Sequence, residues 1–257
     1  MGRVFPRLLP YLLEPRLAGA AFVAALLVTL QLLIEHNVIS PFLMPTPLAI
    51  AQSFGMLLTD EGLVHRLLAT FARTFAAAAL ATVIGILMGF ALYRWRVLRL
   101  AYTSWVIALA AAPLMLLYPL FLVFLGRSAA TIVAMSFVTA LTPIVLKTCE
   151  GLDGTRGVLL DVGWSYRLTR MQLFWMIQFP SAVPSVFNGV RLGLIYALLS
   201  VVGLEYLIDF GGLGQLVSNL ALRYEMPGMF GALLFVGFTS TSFFLVLERV
   251  ERWLRPV

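Results

Sequence analysis

The chain has 257 residues, of which 61% are hydrophobic and only 12% are charged, and its mean hydropathy is +0.97. A water-soluble domain of this length cannot bury so much apolar surface, so the composition excludes an ordinary soluble fold. The net charge of +6 requires no nucleic-acid partner, because the arginines fall where membrane topology would place them.

Apolar segments of membrane-spanning length recur along the chain. An α-helix needs about 20 residues to cross a hydrocarbon core of roughly 30 Å, and the short alternating segments of a β-barrel are absent from this sequence. We therefore predict an all-α polytopic membrane protein with a single transmembrane domain, residues 1–257. The predicted spans are 17–38, 68–93, 101–125, 128–147, 184–204 and 229–247.

The first span, with its basic leader, could be mistaken for a secretory signal. Its apolar run is long, and no clear small-x-small cleavage site follows it before His36. We interpret residues 1–39 as a tail and a retained anchor.

Two segments between the spans indicate structure on the external face. The prolines of Ser40-Pro41 and Met44-Pro45-Thr46-Pro47 interrupt any helix, and a surface helix is predicted over 48–67, broken at 60–62. Gly211-Gly212 marks a second turn, followed by a half-polar helix that ends near Tyr224. These segments are either connecting structure or a surface that receives a binding protein.

Small residues and prolines within the spans predict how the helices pack. Gly85-x-x-x-Gly89 and Gly189-x-x-x-Gly193 have the spacing that lets two membrane helices approach closely. In the third span, Pro113 and Pro119 are expected to kink the helix or to open its hydrogen-bond ladder.

Basic residues concentrate on one predicted side of the membrane. They follow spans two and four and flank both termini, whereas the other side has fewer basic residues and carries Glu35, Asp60, Glu61, Glu205, Asp209 and Glu225. The positive-inside rule therefore places both termini and the loop 148–183 in the cytoplasm. The basic residues on that side are Arg3, Arg7, Arg16, Arg94, Arg96, Arg99, Lys147, Arg156, Arg167, Arg170, Arg249, Arg252 and Arg255.

The cytoplasmic loop itself has a recognisable layout. Residues 158–166 could form a short helix, and Thr169 could cap a second helix over 170–178. On the second helix, Met171, Phe174, Trp175 and Gln178 have the spacing of an apolar stripe. Such a helix can lie at the membrane–water boundary. In chain order, the loop has an acidic start, a turn, an amphipathic stretch and then Ile177-Gln178-Phe179-Pro180.

This layout resembles the coupling loop, or EAA loop, through which permeases of ABC importers dock onto their ATPase. Blocks elsewhere, from about residue 40 to the C-terminus, resemble the nitrate/sulfonate/taurine importer family in order and spacing. They include Leu43-Met44-Pro45-Thr46-Pro47, residues 67–92, Pro113, Pro119-Leu120, Phe124-Leu125-Gly126, Leu141-Thr142-Pro143-Ile144, Thr148-Cys149-Glu150-Gly151, Gly212-Leu213-Gly214 and residues 247–252.

The loop departs from the family pattern at several positions. Asp161 stands where Glu is usual, Val162-Gly163 replaces two alanines, and Arg167 replaces the turn glycine. A left-handed turn costs an L-residue about 1–2 kcal/mol, so either the turn differs or neighbouring contacts offset that cost. The spacing to Ile177 and Pro180 is kept.

The resemblance implies a permease subunit in a bacterial cytoplasmic membrane. It implies a cytoplasmic ATP-binding subunit, an extracytoplasmic solute-binding protein and a second permease chain, identical or different. It also implies that residues 161–169 form the ATPase contact, and Arg167 and Arg170 are placed to pair with acidic groups there. Small, often anionic, solutes are suggested, but pyrimidines and other organic molecules remain open.

A translocation path needs polar side chains inside the membrane, and few are available. Arg191 and Glu205 are ionisable residues near the ends of span five, and hydroxyls at Tyr118, Tyr196 and Ser200 could line a path or bond helix to helix. The hydroxyls of Thr239, Ser240, Thr241 and Ser242 have the same two interpretations.

Other classes of site find little support in the sequence. No P-loop surrounds Lys147, the two histidines lack metal-ligand spacing, and the single cysteine permits no internal disulfide. We predict no catalytic set, metal or cofactor. The alternatives are a membrane enzyme, which lacks a reactive constellation, and an ion-coupled secondary transporter, for which Glu205 is the candidate carboxylate.

Overall fold

The computed structural model describes residues 15–254 except 37, 41 and 43; Arg3, Arg7, Pro41, Leu43 and Arg255 lie outside these residues. The described part is helical, and five of its helices are long and apolar enough to cross a membrane, or six if a bent pair counts as one span. The helices are α1 (Pro15–Glu35), α2 (Pro47–Thr59), α3 (Leu63–Arg94), α4 (Arg96–Ala111), α5 (Tyr118–Leu125), α6 (Ala129–Asp153), α7 (Gly157–Ser165), α8 (Arg170–Leu173), α9 (Phe179–Ile208), α10 (Gly212–Leu222) and α11 (Met226–Leu254).

Helix α6 is the centre of the bundle, packed between α3 and α9. Both predicted glycine pairs face it. A methyl group on Gly85 or Gly193 would lie 2.8 Å or less from side-chain atoms of Ile144, which is itself fully buried. The prediction of close packing at both pairs is therefore confirmed, and both pairs approach the same helix.

The third predicted span, for which the sequence predicted either a kink or an opened hydrogen-bond ladder at Pro113 and Pro119, is broken into separate helices. Helix α4 ends at Ala111, a 3₁₀ turn covers Leu114–Leu117, and the two halves meet at 90°. Ala112 adopts an extended backbone, as a residue before proline prefers, and Pro119 sits in the first turn of α5, where proline is tolerated. Pro113 therefore ends one helix, and Pro119 helps to start another.

A second layer covers the end of the bundle opposite α7. The predicted surface helices are present as α2 and α10, except that residues 63–67, predicted as part of the first, begin the spanning helix α3. Thr46 caps α2 by accepting a hydrogen bond from the Ala49 amide at 3.2 Å. They form a compact apolar cluster in which Leu57, Leu216 and Leu220 are fully buried. This layer is thus packed structure as well as connection.

Gly89 gives a test of the central packing. A methyl group there would lie 2.6 Å from Thr148 Cβ and 2.8 Å from the Val145 carbonyl oxygen, and a backbone atom cannot rotate away. We expect Gly89→Ala to lower the free energy of unfolding by about 1–3 kcal/mol, measured by thermal unfolding of the purified chain.

Gly55→Ala is the matched control, because no atom lies within 4 Å of the added methyl group on this helical glycine. It should leave stability unchanged or raise it by about 0.5–1 kcal/mol. Equal destabilisation by both substitutions would contradict the packing described for α3 and α6.

Candidate functional site

Helix α7 presents an unusually apolar surface. Val158 is 72% exposed and Val162 46% exposed, and Leu159 lies beside them. Trp164 and Tyr166 extend the exposed apolar area to the end of the helix. A hydrophobic patch outside the spans is typical of a protein contact. The predicted short helix over 158–166 is confirmed within one residue at each end.

The turn after α7 keeps the left-handed conformation despite its arginine. Arg167 has φ 56°, one of the few positive values among the described non-glycine residues. Its amide donates to the Trp164 carbonyl at 2.9 Å, and the Leu168 amide donates to the Gly163 carbonyl at 3.1 Å. This pair of bonds is a Schellman motif, which satisfies carbonyls at the helix end and offsets the backbone cost.

Gly163 is where α7 meets the following segment. It is buried, and a methyl group on it would overlap the end of Leu173 and approach Ile177 Cδ1 to 2.8 Å. Glycine in place of the usual alanine thus lets α7 lie directly on these two side chains. The sequence singled out Gly163 as a departure without showing what it packs against.

The second helix of the loop begins as predicted but does not end as predicted. Thr169 forms a capping box with Gln172, its amide donating to Gln172 Oε1 at 2.9 Å. The separate helix predicted over 170–178 is wrong, because α8 continues through a π-helical turn at Phe174–Gln178 into α9. Pro180 lies in the first turn of α9, directly after the π-helical turn, and it has no amide hydrogen to donate to the preceding helical turn.

This segment is also attached to α3. Gln178 donates to the Tyr93 hydroxyl at 2.8 Å, and the Phe174 ring packs edge-on against Phe90 with centroids 5.4 Å apart. The loop is therefore held by the bundle at its membrane side, while α7 faces away from it.

The charged residues of the loop are free for a partner. Asp161, Arg167 and Arg170 are exposed, and none forms an ion pair with any residue the structure describes. Arg99 and Arg191, at the same end of the bundle, are by contrast paired with Asp153 and Glu251. Because Asp161 and Arg167 are exposed on or beside α7, they are available for contacts with another protein.

A cavity of about 620 Å³ opens beside the break in the third span. Tyr196 and Ser200 of α9 line it together, and Thr139 and Thr142 of α6 add two hydroxyl groups. The backbone break at 112–115 forms the opposite wall. In the sequence, Pro113 and Pro119 indicated an irregular helix in this region, but no pattern predicted that Thr139 and Thr142 would line a cavity.

One ion pair also lines the cavity. Lys147 Nζ lies 2.6 Å from Glu150 Oε2, one turn further along α6. The cavity wall therefore carries both signs of charge and no net charge. The sequence showed Lys147 as the only lysine, but nothing in the pattern indicated that it faces a cavity.

The other predicted path residues lie elsewhere. Tyr118 packs against a core cluster that contains Ile132 and Leu204. Arg191 forms an ion pair with Glu251, which ties α9 to α11. Neither side chain, nor that of Glu205, lines this cavity.

Glu205 is the centre of a buried polar network at the far end of α9. Its fully buried carboxylate accepts hydrogen bonds from Arg73 at 2.5 Å, from the Thr70 hydroxyl at 2.8 Å and from the Gly214 amide at 3.2 Å. Arg73 also donates to the Phe210 carbonyl at 3.2 Å. The network therefore joins α3, α9 and α10.

The close approach of α10 explains the glycines of this network. Gly212 has φ 81°, and a methyl group on it would overlap the Glu205 carboxylate. A methyl group on Gly214 would overlap the Val202 carbonyl. Only glycine allows the backbone of α10 to reach the buried charge.

Comparison with known proteins identifies the class of the chain. Residues 81–256 match the family model described as binding-protein-dependent transport system inner membrane component. The formylaminopyrimidine transport permease protein ThiX of Halalkalibacterium halodurans is 27% identical, over 84% of this chain and 86% of that protein. The nitrate import permease protein NrtB of Synechocystis is 27% identical, over 97% and 92%.

Solved structures give the same fold. A chain of the MetNI methionine ABC transporter, in inward facing conformations, aligns with a TM-score of 0.63 at 21% identity, over 76% of this chain and 96% of that one. An amino acid ABC transporter crystallised with histidines aligns with a TM-score of 0.65 at 16% identity, over 78% and 98%.

Arg167→Gly tests the turn. Because glycine reaches positive φ without strain, we expect it to stabilise the turn by about 1 kcal/mol. Slower hydrogen exchange of the Arg167 and Leu168 amides, measured by mass spectrometry of peptides covering 164–170, would report this gain.

Arg170→Gly is the matched control, since it removes the same side chain from a helical position and should destabilise by about 0.5–1 kcal/mol. Arg167→Ala, which keeps the backbone cost, should leave exchange unchanged. Faster exchange in Arg167→Gly would contradict a strained turn.

Proposed function

The chain belongs to the family of binding-protein-dependent transport system inner membrane components, and from this premise we propose how it works as the permease subunit of an ABC importer. In this proposal α7 is the surface that docks onto a separate ATP-binding subunit. The cavity beside Tyr196 and Ser200 is part of the solute path. The subunit catalyses no reaction of its own, and its energy comes from that ATPase.

The observation that carries the proposal is the exposed apolar face of α7, which sits on a segment continuous with a membrane-spanning helix. Val158, Leu159 and Val162 supply apolar area, while Asp161 and Arg167 supply opposite charges at its edges. Apolar contacts give most of the binding energy at such an interface, and charges at its rim favour one orientation.

The geometry supports a specific route from the ATPase to the cavity. A push on α7 reaches Leu173 and Ile177 through the contact at Gly163. These side chains belong to the segment that continues into α9, which carries Tyr196 and Ser200. In the proposed cycle, closure of the ATPases moves α7 and thereby switches the access of the cavity.

We place α7 and both termini in the cytoplasm. The Arg99–Asp153 and Tyr93–Gln178 contacts place the end of α3, the start of α4, the end of α6 and the start of α9 at one end of the bundle. That end carries most of the basic residues, which favours the cytoplasmic side.

The proposed assembly contains two permease chains, two ATP-binding subunits and an extracytoplasmic solute-binding protein. The second permease chain, identical or different, would complete the path on the open side of the cavity. The layer formed by α2 and α10 lies at the end opposite α7 and is where the binding protein would dock. The ion-coupled alternative loses its candidate carboxylate, because Glu205 is bound by Arg73.

The charge balance of the cavity favours one class of solute. Its wall combines the hydroxyls of Thr139, Thr142, Tyr196 and Ser200 with apolar side chains, and its one cation is neutralised by Glu150. A small organic molecule that is neutral or zwitterionic suits such a wall better than a bare inorganic anion. Two of the relatives are named for formylaminopyrimidine and carnitine transport.

The double substitution Val158→Asp and Val162→Asp tests docking through α7. Two charges on the apolar face should weaken the complex with the ATPase by at least about tenfold, because each would be desolvated at the interface. Affinity would be measured on the purified subunits, together with ATP hydrolysis by the assembled transporter.

Val97→Asp is the control, since Val97 is 78% exposed on α4 outside the proposed contact. It should bind the ATPase as the unsubstituted chain does. Unweakened binding by the α7 variant would refute docking through this helix. Asp161→Ala and Arg167→Glu should cause smaller losses.

The proposal on the solute is tested through the binding protein. The extracytoplasmic protein that co-purifies with the transporter would be isolated, and its bound ligand would be identified by mass spectrometry. A neutral or zwitterionic organic ligand is expected. An inorganic anion such as nitrate would contradict the inference from the cavity wall.

A further inference from the structure

A second cavity lies on the opposite side of α9 and has no role in the proposed path. It is an apolar groove of about 430 Å³ between α3 and α9, and residues of the π-helical turn line one end of it. Leu87, Phe90, Val183, Val186 and Phe187 are among its lining residues, and Thr148 is its one polar residue. We call it the lateral groove.

The cytoplasmic end of the lateral groove opens into a cationic mouth. This neighbouring cavity of about 650 Å³ is lined by Arg94 and Arg170, and three aromatic residues line both cavities, which makes them continuous. Those three are Phe90, Phe174 and Trp175. Tyr93, Trp164 and Gln178 complete the wall of the cationic mouth.

The charge of the cationic mouth is uncompensated. No Asp or Glu lines either cavity, and neither Arg94 nor Arg170 forms an ion pair with a residue that the structure describes. Nearby arginines differ: Arg99 and Arg191 each contact a carboxylate. Two guanidinium groups beside one opening form a site for a phosphate, which arginine binds in bidentate fashion.

The dimensions match one leaflet of a bilayer. Along α9 the lateral groove extends from Phe179 to Val190, which is roughly 16 Å at 1.5 Å per residue. Half of the hydrocarbon core is roughly 15 Å. Trp164, Trp175 and Tyr93 surround the opening, as aromatic residues do at the level of lipid headgroups.

We propose that the lateral groove and the cationic mouth together bind one anionic glycerophospholipid of the cytoplasmic leaflet. An acyl chain occupies the lateral groove, and the headgroup phosphate lies between Arg94 and Arg170. The proposal depends on the cytoplasmic placement of α7, but not on docking of an ATPase.

Charge complementarity selects this occupant over the others. A zwitterionic phospholipid also carries a phosphate, but its headgroup cation would lie beside the two arginines, and no Asp or Glu lines the mouth to receive that cation. A second permease chain would have to bring carboxylates as well as an apolar helix to the same position. A lipid of the cytoplasmic leaflet, which is negatively charged, supplies both parts in one molecule.

The proposed lipid site includes residues of α8 and of the π-helical turn that joins α8 to α9. Phe174 and Trp175 belong to the π-helical turn that joins α8 to α9, and Arg170 begins α8. A bound lipid therefore packs against the joint through which α7 is attached. Its headgroup links that joint to the end of α3 through Arg94.

Quenching of Trp175 by brominated lipids tests the proposal. The full chain is placed in phosphatidylcholine bilayers that contain brominated phosphatidylglycerol or, at the same mole fraction, brominated phosphatidylcholine. The difference between the unsubstituted chain and Trp175→Phe isolates the signal of this residue. We expect phosphatidylglycerol to associate more strongly, by about fivefold for each arginine at low salt, with the preference weakening as salt is added.

Arg94→Gln, and Arg94→Gln combined with Arg170→Gln, should reduce and then remove the preference. Arg96→Gln is the matched control, because Arg96 is exposed two residues away and lines neither cavity. Val183→Asp should abolish quenching by both lipids, since it places a charge in the lateral groove. Thermal unfolding of each variant identifies any that fail to fold.

Two results would overturn the proposal. Equal quenching by the two brominated lipids would mean that the groove accepts any acyl chain and the arginines select nothing. Quenching no greater than that of a tryptophan facing bulk lipid would mean that another chain covers the groove.

Discussion

The contact of Gly163 with Leu173 and Ile177 is the constraint on which the account of this permease depends. It places α7 directly on the segment that becomes α9, so that a methyl group at this position would displace the ends of the Leu173 and Ile177 side chains. The Schellman motif at Arg167 and the capping box at Thr169 fix the turn between the two helices. We infer that α7, held in this way, moves with the membrane-spanning helix behind it.

The two ends of α9 are held by different kinds of interaction. At the end away from α7, the carboxylate of Glu205 is fully buried and bound by α3 and α10, so breaking this network would leave an unpaired charge at a cost of about 3–5 kcal/mol. At its other end, α9 is joined to the segment that carries the exposed helix α7. We infer that the Glu205 network acts as the fixed point, and that Tyr196 and Ser200 lie between it and α7.

The sequence predicted the elements whose signals are local. Apolar length gave the spans, the spacing of Gly85 and Gly89 gave a packing face, and Thr169 gave a helix start. The break at Pro113 could not be predicted, because proline either kinks or ends a membrane helix according to what its neighbours can bond. The π-helical turn escaped prediction too, since one extra residue in a helix leaves no signature in an apolar run.

The site was harder to predict than the fold because it depends on side-chain direction across helices. Tyr196 and Ser200 share a face of α9 and reach the cavity, whereas Glu205 points to a different set of neighbours. Lys147 faces the cavity from α6, and nothing in its own helix indicates that. Residue type alone indicated which side chains were candidates for the cavity. Which of them line the cavity is decided by the packing of α6 against α9.

The distance between α7 and α9 tests most directly whether these two helices move as one body. Spin labels at Ser165→Cys and Val183→Cys, in a Cys149→Ser background, report the separation of the end of α7, outside the proposed docking face, from the first half of α9 in the transporter assembled with its ATPase. We expect the same distance distribution without nucleotide and with ATP, because the two helices move together. A distribution that shifts on ATP binding would show that α7 moves independently of α9.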